Sequence, residues 1–376
     1  MIRQQVPAIE DRLLAIALSA MLLCRFSAIA AGAWIMDYAG QLSPSHHGGA
    51  FERPSAVSFS PFTGEACITD AGGVKLCVFN EHMVFTFETD EFARLSLPGG
   101  AAFDSVGNFV FTDNGEGTGR IIRKLNFLGE PETFQAEAPR NAWFPDHLIL
   151  TADGNIISID SSQGLMCKHD ARTGGLLWQC NLVGDDVQDS EIVVGRPAQD
   201  TAGRLYVPGG NLHQVLVFDA EGKRLGSFGR FGTSRGQMIF PAGVACGPDN
   251  LLLVLDRLRH TVLLFDSEQR FLAEFGSFGS RPGQLYHPQS IACSPDGQVL
   301  IAQGFQGRVQ RYHLINTDAV RTSGLDAIDC APARPIASGE APRADIRKGE
   351  VPADTNSIAC LPSTRDASPR GYLMVR

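Results

Sequence analysis

The chain has 376 residues, and its 41 Asp and Glu residues outnumber its 32 Lys and Arg residues, which gives a formal net charge of −9. Charged residues make up only 19% of the chain, whereas Gly (40) and Pro (21) are plentiful, a composition typical of folds built from β-strands and turns. An acidic surface repels phosphate backbones, so the composition argues against a nucleic-acid partner.

The first 30 residues have the pattern of a secretion signal. An apolar run from Leu13 to Cys24 is followed by Arg25 and then by the small-residue box Ala28-Ile29-Ala30. If the segment instead stayed in the membrane, Arg25 would lie near its middle at a cost of about 2.5–3.5 kcal/mol. We therefore predict a cleaved signal peptide over residues 1–30 and a periplasmic or extracellular protein. An uncleaved segment would anchor the protein to a membrane.

The sequence contains nine cysteines, and export permits disulfide bonds. Two pairs flank short turns and could face each other across antiparallel strands, and a third could close a loop near the carboxyl terminus. The candidate pairs are Cys67 with Cys77, Cys167 with Cys180, and Cys330 with Cys360. The alternative for the first two pairs is four buried, unbonded thiols. Cys246 and Cys293 hold the same position in neighbouring repeats, which indicates core residues.

The second half of the chain repeats itself at an offset of 47 residues. Residues 225–250 (LGSFGRFGTSRGQMIFPAGVACGPDN) match residues 272–297 (LAEFGSFGSRPGQLYHPQSIACSPDG). Such a period indicates a repeat architecture, in which each unit buries its apolar faces by stacking on its neighbours. A turn residue marks six copies, spaced 43 to 49 residues apart. These residues are Gly64, Gly107, Gly154, Gly203, Asn250 and Gly297.

Each copy has room for four short strands. Between the turn residues, apolar side chains alternate or run continuously over five to seven positions, as in LLLVLD and FVFTD. Four strands in 43 to 49 residues is the size of one propeller blade. We therefore predict an all-β, six-bladed β-propeller over residues 34–316.

The sixth copy lacks its outer strand. It supplies QSIACS, QVLIAQ and RVQRYHL, after which the chain becomes polar and proline-rich. Just after the leader, AWIMDYAG ends like FLAEFG, the outer strand of the fifth copy. We predict that Trp34–Tyr38 supplies the missing strand of the last blade and removes an exposed sheet edge. Residues 317–376, rich in Pro, Ala and Ser, are predicted to be a largely disordered tail.

The repeated string resembles the NHL repeat. It reads G-x-F-G-x-x-x-G-Q-x-x-x-P-x-x-[VI]-A-C-x-P-D-[NG], and His213 and His260 stand before apolar strands where that family has the His of its Asn-His-Leu signature. Leu212 and Arg259 replace the Asn. The resemblance covers roughly residues 34–314 and implies a propeller whose loop face is usually the ligand face. Because the two histidines recur at the same position of the repeat, we expect them to pack and form hydrogen bonds within their blades.

Four aspartates follow the second strand of their copies, on the predicted ligand face. They are Asp70, Asp113, Asp160 and Asp256. One interpretation is a ring of carboxylates around a cation. The favoured one is that each side chain accepts backbone N–H bonds within its own turn, because the NHL family, which this chain resembles, repeats this Asp for structural reasons.

Two histidines lie near the predicted starts of innermost strands. His147 follows Pro145 by two residues, and His287 immediately precedes Pro288. Imidazole beside carboxylates could bind zinc or transfer protons. The peptidyl-amidoglycolate lyases, which resemble NHL propellers, hold zinc with three central histidines, but here only His147 lies at a comparable strand start.

A cluster of carboxylates precedes the fourth blade. It consists of Asp185, Asp186, Asp189 and Glu191. Calcium binding is one interpretation and a solvated acidic loop is the other, which is favoured because the ligand spacing and Gly of an EF-hand are missing.

The sequence shows no nucleophile elbow or other catalytic motif, so no catalytic residue is predicted and the balance is against an enzyme. The first hypothesis is an exported binding or scaffold module that presents its loop face to a protein, peptide or glycan. The alternative is a metal-dependent propeller enzyme of the peptidyl-amidoglycolate lyase or hydrolase type, with zinc or calcium near His147, Asp113 and Asp160.

Overall fold

The structure is a computed structural model that describes residues 34–115, 119–140, 143–183 and 192–317. These residues form six four-stranded antiparallel sheets, which confirms the six-bladed β-propeller. The predicted signal peptide, the Cys330–Cys360 pair and nearly all of the predicted tail lie outside the described residues. Among the residues that the structure describes, three short 3₁₀ helices occur, at Glu91–Ala93, Pro248–Asn250 and Gly304–Gln306. In the described ranges, no helix has the length and apolar character needed to cross a bilayer.

The strands run from the innermost to the outermost position in each of the first five blades. Blade 1 contains β2 (Pro54–Phe59), β3 (Ala66–Asp70), β4 (Lys75–Phe79) and β5 (Phe85–Glu88). Blade 2 contains β6 (Ala101–Phe103), β7 (Phe109–Gly115), β8 (Gly119–Leu125) and β9 (Pro131–Glu132). Blade 3 contains β10 (His147–Leu150), β11 (Ile156–Asp160), β12 (Leu165–His169) and β13 (Leu176–Asn181).

The remaining blades follow the same plan, with one exception in the last. Blade 4 contains β14 (Ala198–Gln199), β15 (Leu205–Gly209), β16 (Gln214–Phe218) and β17 (Arg224–Phe228). Blade 5 contains β18 (Pro241–Cys246), β19 (Leu252–Asp256), β20 (Thr261–Phe265) and β21 (Phe271–Phe275). Blade 6 contains β22 (Ser290–Cys293), β23 (Gln298–Gln303), β24 (Arg308–Asn316) and, as its outer strand, β1 (Trp34–Leu42).

The hydrophobic core is divided among the six spaces between neighbouring blades. One buried cluster fills each space, and the cluster between blades 6 and 1 joins Leu300 and Val309 to Val57 and Phe79. Because the middle strands are covered on both faces, every residue of β11 and β19 is buried. The outer strand β13 instead alternates between half-buried and exposed residues. This explains why the inner strands have continuous apolar runs.

The amino-terminal strand closes the ring, as predicted. β1 pairs antiparallel with β24, from Trp34 opposite Asn316 to Leu42 opposite Val309, with an irregularity between Tyr38 and Gly40. It is longer than the predicted Trp34–Tyr38, since pairing continues beyond this irregularity to Leu42. The Tyr38 ring meets the Tyr312 ring edge-on at a centroid distance of 5.7 Å.

The two predicted disulfides within blades 1 and 3 do not form, because their cysteines face opposite sides of their sheets. Cys67 lies opposite Val78 in the register of β3 and β4, one position away from the pair that contains Cys77. Cys67 therefore packs towards blade 2 and Cys77 towards blade 6. The same one-residue offset separates Cys167 from Cys180. All four are free thiols, and burial raises the pKa of Cys77 and of Cys167 to about 12, so both stay protonated. Cys246 and Cys293 pack at the edges of core clusters.

His169 makes the stability of the propeller pH-dependent. Its ring is fully buried, lies tilted against the Trp143 ring at a centroid distance of 5.1 Å and donates from Nε2 to the carbonyl oxygen of Glu137 at 2.9 Å. Burial lowers the pKa of His169 below its ordinary value, despite the opposing effect of Glu137. The unfolded chain therefore takes up a proton near pH 6.5, where the folded protein does not.

We expect the free energy of unfolding to fall between pH 7.5 and pH 5.5 as a result, by at most about 1.4 kcal/mol per pH unit for this group. Urea unfolding across this range should show a weaker pH dependence for His169→Gln than for the wild type. His82→Gln, which changes an exposed imidazole, is the control and should match the wild type. Equal pH slopes for His169→Gln and the wild type would contradict the assignment.

Candidate functional site

Loops that enter the innermost strands and loops that leave the second strands lie at one end of the ring, which we call the upper face. The antiparallel order of every sheet dictates this, because each strand reverses the direction of the one before it. The opposite end is the lower face. All six predicted ligand-face residues belong to the upper face.

The four repeated aspartates hold the loops of the upper face together. Their side chains are at most 1% exposed. Each accepts backbone N–H bonds from the loop that enters its own blade: Asp70 from Glu52 and Arg53, Asp113 from Ser96 and Leu97, Asp160 from Phe144, and Asp256 from Ile239 and Phe240. Asp113 also pairs with Arg123 at 2.6 Å. The geometry is that of the turn-capping interpretation and not of a carboxylate ring.

In the two copies that lack this aspartate, the oxygen of a side-chain amide accepts the backbone N–H bond from the entering loop. Gln303 is fully buried, and its Oε1 accepts from the backbone N–H of Tyr286 at 2.7 Å. In blade 4, Asn211 Oδ1 accepts from the backbone N–H of Val193 at 3.0 Å. The sequence analysis missed both residues. Gln303 holds the aspartate position of the repeat, which was the available signal.

His147 and His287 line different cavities and do not form one site. His147 is the first residue of β10, and its Nε2 lies 3.1 Å from the carbonyl oxygen of Val194, so this nitrogen donates a hydrogen bond. Asp146 Oδ2 lies 3.9 Å from the same nitrogen. Asp113 and Asp160 are occupied in their own loops. The predicted grouping of His147 with these two aspartates is therefore not what the structure shows.

A cavity of about 410 Å³ opens at the axis of the upper face, where loops from five blades meet. Its lining includes Arg53, Arg120 and Arg196, together with Asp146, His147 and Ser290, and we call it the arginine pocket. Arg53 is exposed, Arg120 is half-buried and Arg196 is buried. Asp146 is the single carboxylate among the described residues that line it. The pocket is therefore positively charged within a protein whose net charge is negative.

A second feature lies over blades 5 and 6. Five rings contact one another in a continuous group, with neighbouring centroids 4.8 to 6.5 Å apart. We call it the aromatic cluster, and its members are His260, Phe278, Tyr286, His287 and Phe305. It borders a cavity of about 320 Å³ that Phe240, Arg257 and Leu258 also line. Phe278 is 63% exposed and Phe305 is 67% exposed.

The repeated G-x-F-G-x-x-x-G-Q string builds the loop that carries Phe278. Gly279 has a φ of +154°, and a Cβ there would collide with the side-chain amide of Gln284. That amide is held in place because its Oε1 accepts from the backbone N–H of Arg281 at 3.2 Å. The phenylalanine is left outside the loop, on the His260 ring. His213 and Phe231 repeat this contact one blade earlier, with centroids 4.6 Å apart.

The two repeat histidines make the packing and hydrogen-bond contacts expected from their recurrence at one repeat position. His213 Nδ1 lies 2.6 Å from the carbonyl oxygen of Ile239, and His260 Nδ1 accepts from the backbone N–H of His287 at 3.1 Å. Both residues have a positive φ, 59° and 57°. Each histidine therefore connects the turn between the second and third strands of its blade to the loop that enters the next blade.

No group of three or more His, Cys, Asp or Glu side chains that could hold a metal ion occurs within the described residues. The acidic loop that contains Asp185, Asp186, Asp189 and Glu191 lies outside them, so the calcium interpretation of that loop stays a prediction.

The chain matches no protein-family model and no curated protein. Its fold is similar to several solved structures. A protein of unknown function from Bacteroides thetaiotaomicron has a TM-score of 0.59 at 10% identity, and an auxiliary nutrient binding protein from the same organism has 0.55 at 13%; each comparison covers 75% of this chain and 77% of the other. A catalytically inactive virginiamycin B lyase from Staphylococcus aureus, solved with quinupristin, has 0.51 at 12%, covering 75% and 100%. At these identities the likeness shows the fold alone.

Proposed function

We propose that this protein is an exported binding module, a six-bladed propeller of NHL type whose upper face holds a protein or peptide partner. The observation that carries the proposal is the aromatic cluster. Large aromatic side chains exposed together on a soluble protein are characteristic of interaction sites, because their burial by a partner removes much apolar area from water.

The composition of this surface favours a protein or peptide. Phe278, Phe305 and Leu258 are 63%, 67% and 47% exposed, and Arg257 lies beside them. Aromatic side chains and Arg are enriched where protein partners bind most tightly. The rings are also held by one another and by the blade, so little side-chain freedom is lost on binding.

The NHL-type assignment is supported by the motif and by what its residues do. The glycines and Gln of the string shape the loop that ends on Phe278, and His213 and His260 make equivalent contacts one blade apart. Export is supported by the apolar leader and its small-residue box. The nutrient binding protein of similar fold is consistent with a binding role.

A capture experiment tests the aromatic cluster. Purified protein is used to capture partners from the envelope fraction of the source cell, and the affinity is then measured with the partner obtained. We expect the double variant Phe278→Ser, Phe305→Ser to bind at least about a hundredfold more weakly, because buried aromatic anchors contribute about 2 kcal/mol or more each and every 1.4 kcal/mol is a factor of ten. Its unfolding midpoint should change little, since both rings are mostly in solvent.

The matched control is Phe127→Ser. Phe127 is 63% exposed but lies in the turn between β8 and β9, on the lower face. The Phe127→Ser variant should bind the partner like the wild type. Equal weakening in the control, or unchanged binding by the double variant, would exclude the aromatic cluster as the partner site. Capture of a glycan by the same rings would correct the class of partner.

A further inference from the structure

The arginine pocket contains a buried cation without a matching anion. The Arg196 side chain is 7% exposed, and its Nη2 donates to the carbonyl oxygen of Ala101, across the channel in blade 2, at 3.0 Å. Within the described residues its Nη1 has no hydrogen-bond partner. A buried guanidinium with an unused donor is costly unless something pairs with it.

Arg196 forms the floor of this pocket. It lines the arginine pocket and also a cavity of about 460 Å³ that opens towards the lower face. Its backbone is fixed to blade 5, because its N–H donates to Ala242 and its carbonyl oxygen accepts from Val244. The side chain is therefore held in position between three blades. Its guanidinium is already placed to pair with an anionic group of a ligand.

The two guanidinium groups lie beside consecutive residues of one loop. A Cβ on Gly99 would lie 2.8 Å from Arg120 Nη1, which is too close, whereas a Cβ on Gly100 would lie 3.9 Å from Arg196 Nη1, an ordinary contact. Gly99 therefore leaves space for the Arg120 guanidinium. The Ser290 hydroxyl oxygen accepts from the backbone N–H of Val57 at 3.2 Å, which leaves its own hydrogen available to a ligand.

The charges of the pocket do not balance. Asp146 is the single carboxylate among its described lining residues, and its Oδ1 already accepts from the backbone N–H of Ser161 at 3.1 Å. Burial lowers the pKa of Arg196 to about 10, which leaves the guanidinium protonated at neutral pH. The planar guanidinium of arginine can donate two parallel hydrogen bonds to the oxygens of a carboxylate or of a phosphate.

We propose that the arginine pocket is a binding site for a small organic anion whose carboxylate or phosphate group pairs with Arg196 and Arg120. The cavity volume of about 410 Å³ lies within the range of sites for small molecules. The site is separate from the aromatic cluster and does not depend on the partner that binds there. A protein that carries both features holds a small ligand at the axis and a macromolecule over blades 5 and 6.

Isothermal titration calorimetry of the purified protein with citrate and with inorganic phosphate, at low ionic strength, tests this site. We expect one-to-one binding of at least one probe to the wild type. Arg120→Gln should weaken it by about tenfold or more, the usual effect of losing a charge-assisted hydrogen bond. Binding of citrate alone identifies a carboxylate ligand, and binding of phosphate alone identifies a phosphate ligand; either result supports the proposal.

The variants are chosen so that misfolding cannot explain the result. Arg196→Gln removes the guanidinium and should weaken binding at least as much as Arg120→Gln, but it also loses the bond to Ala101 and alters a side chain held between blades. Arg120→Gln changes a half-buried arginine at the side of the pocket. Arg224→Gln removes the same charge from the exposed start of β17 and should bind like the wild type. The proposal is overturned if neither probe binds the wild type, if Arg120→Gln binds like the wild type, or if Arg224→Gln weakens binding equally.

Discussion

A chain that begins at Ser43, and so lacks β1, is expected to lose at least about 4 kcal/mol of its free energy of unfolding, more than most single substitutions cost. Without β1, the backbone of β24 has no partner on its outer side, and the cluster between blades 5 and 6 loses the cover of Trp34, Met36 and Tyr38. An open strand edge also pairs with other molecules. Urea unfolding should show the loss, and size-exclusion chromatography should show oligomers.

A chain that begins at Trp34 is the control and should unfold as one cooperative unit. Two point variants separate the packing of β1 from its pairing. Met36→Asp places a charge against the core cluster and should cost about 2–3 kcal/mol, whereas Ile35→Asp changes the neighbouring side chain, which is 44% exposed, and should cost under about 1 kcal/mol. Equal unfolding midpoints for the chains that begin at Ser43 and Trp34 would show that β1 does not close the ring.

Replacing Asp256 by Ala is expected to lower the free energy of unfolding by about 3–5 kcal/mol. Its carboxylate is fully buried and accepts four backbone N–H bonds, from Ile239, Phe240, Leu258 and Arg259. Alanine would leave these four partly buried donors without their common acceptor. Because the bonds shape the loops beneath the aromatic cluster, partner binding should weaken as well. Guanidinium unfolding followed by tryptophan fluorescence measures the stability.

Asp219→Ala is the matched control for Asp256. Asp219 also accepts two backbone N–H bonds, from Glu221 and Lys223, but in an exposed turn where water can replace it. Its loss should cost about 0.5–1.5 kcal/mol. Addition of a chelator should leave the wild type unchanged if Asp256 acts through these hydrogen bonds. A calcium-dependent midpoint that disappears in Asp256→Ala would instead support the cation interpretation.

The fold could be predicted from the sequence because the repeat is visible in the sequence itself. Once two copies align at a fixed offset, the number of strands, the number of blades and the missing outer strand follow from counting. β1 was found for this reason, since its apolar pattern matches β21 and a propeller leaves no other place for it.

The two disulfides within blades 1 and 3 were predicted wrongly for a specific reason. Symmetry about a turn fixes which residues are close, but the register decides which face each side chain takes, and one residue of offset moves a cysteine to the other side of its sheet. Cys67 and Cys77 differ by that one residue. The length of the turn, which can be counted in the sequence, does not determine this register.

The candidate site was predicted only in part. The sequence located the upper face, and it marked Asp256 and His287 as members of it. It did not distinguish Phe278, which belongs to the motif but points into solvent, from the buried phenylalanines nearby. Arg196 holds the repeat position that His147 and Ser290 hold in their copies, but the residue type is not repeated there, and its place in one pocket with Arg120 depends on loops from two blades that are distant in the chain.

The pairing of Trp34 with Asn316 sets how the protein can be tethered. β24 descends from the upper face and β1 ascends to it, so both of these residues lie at the lower face. An attachment made directly at Trp34 or at Asn316 would leave the arginine pocket and the aromatic cluster on the far side of the propeller. A sensor surface coupled at either of these residues should therefore keep both sites accessible.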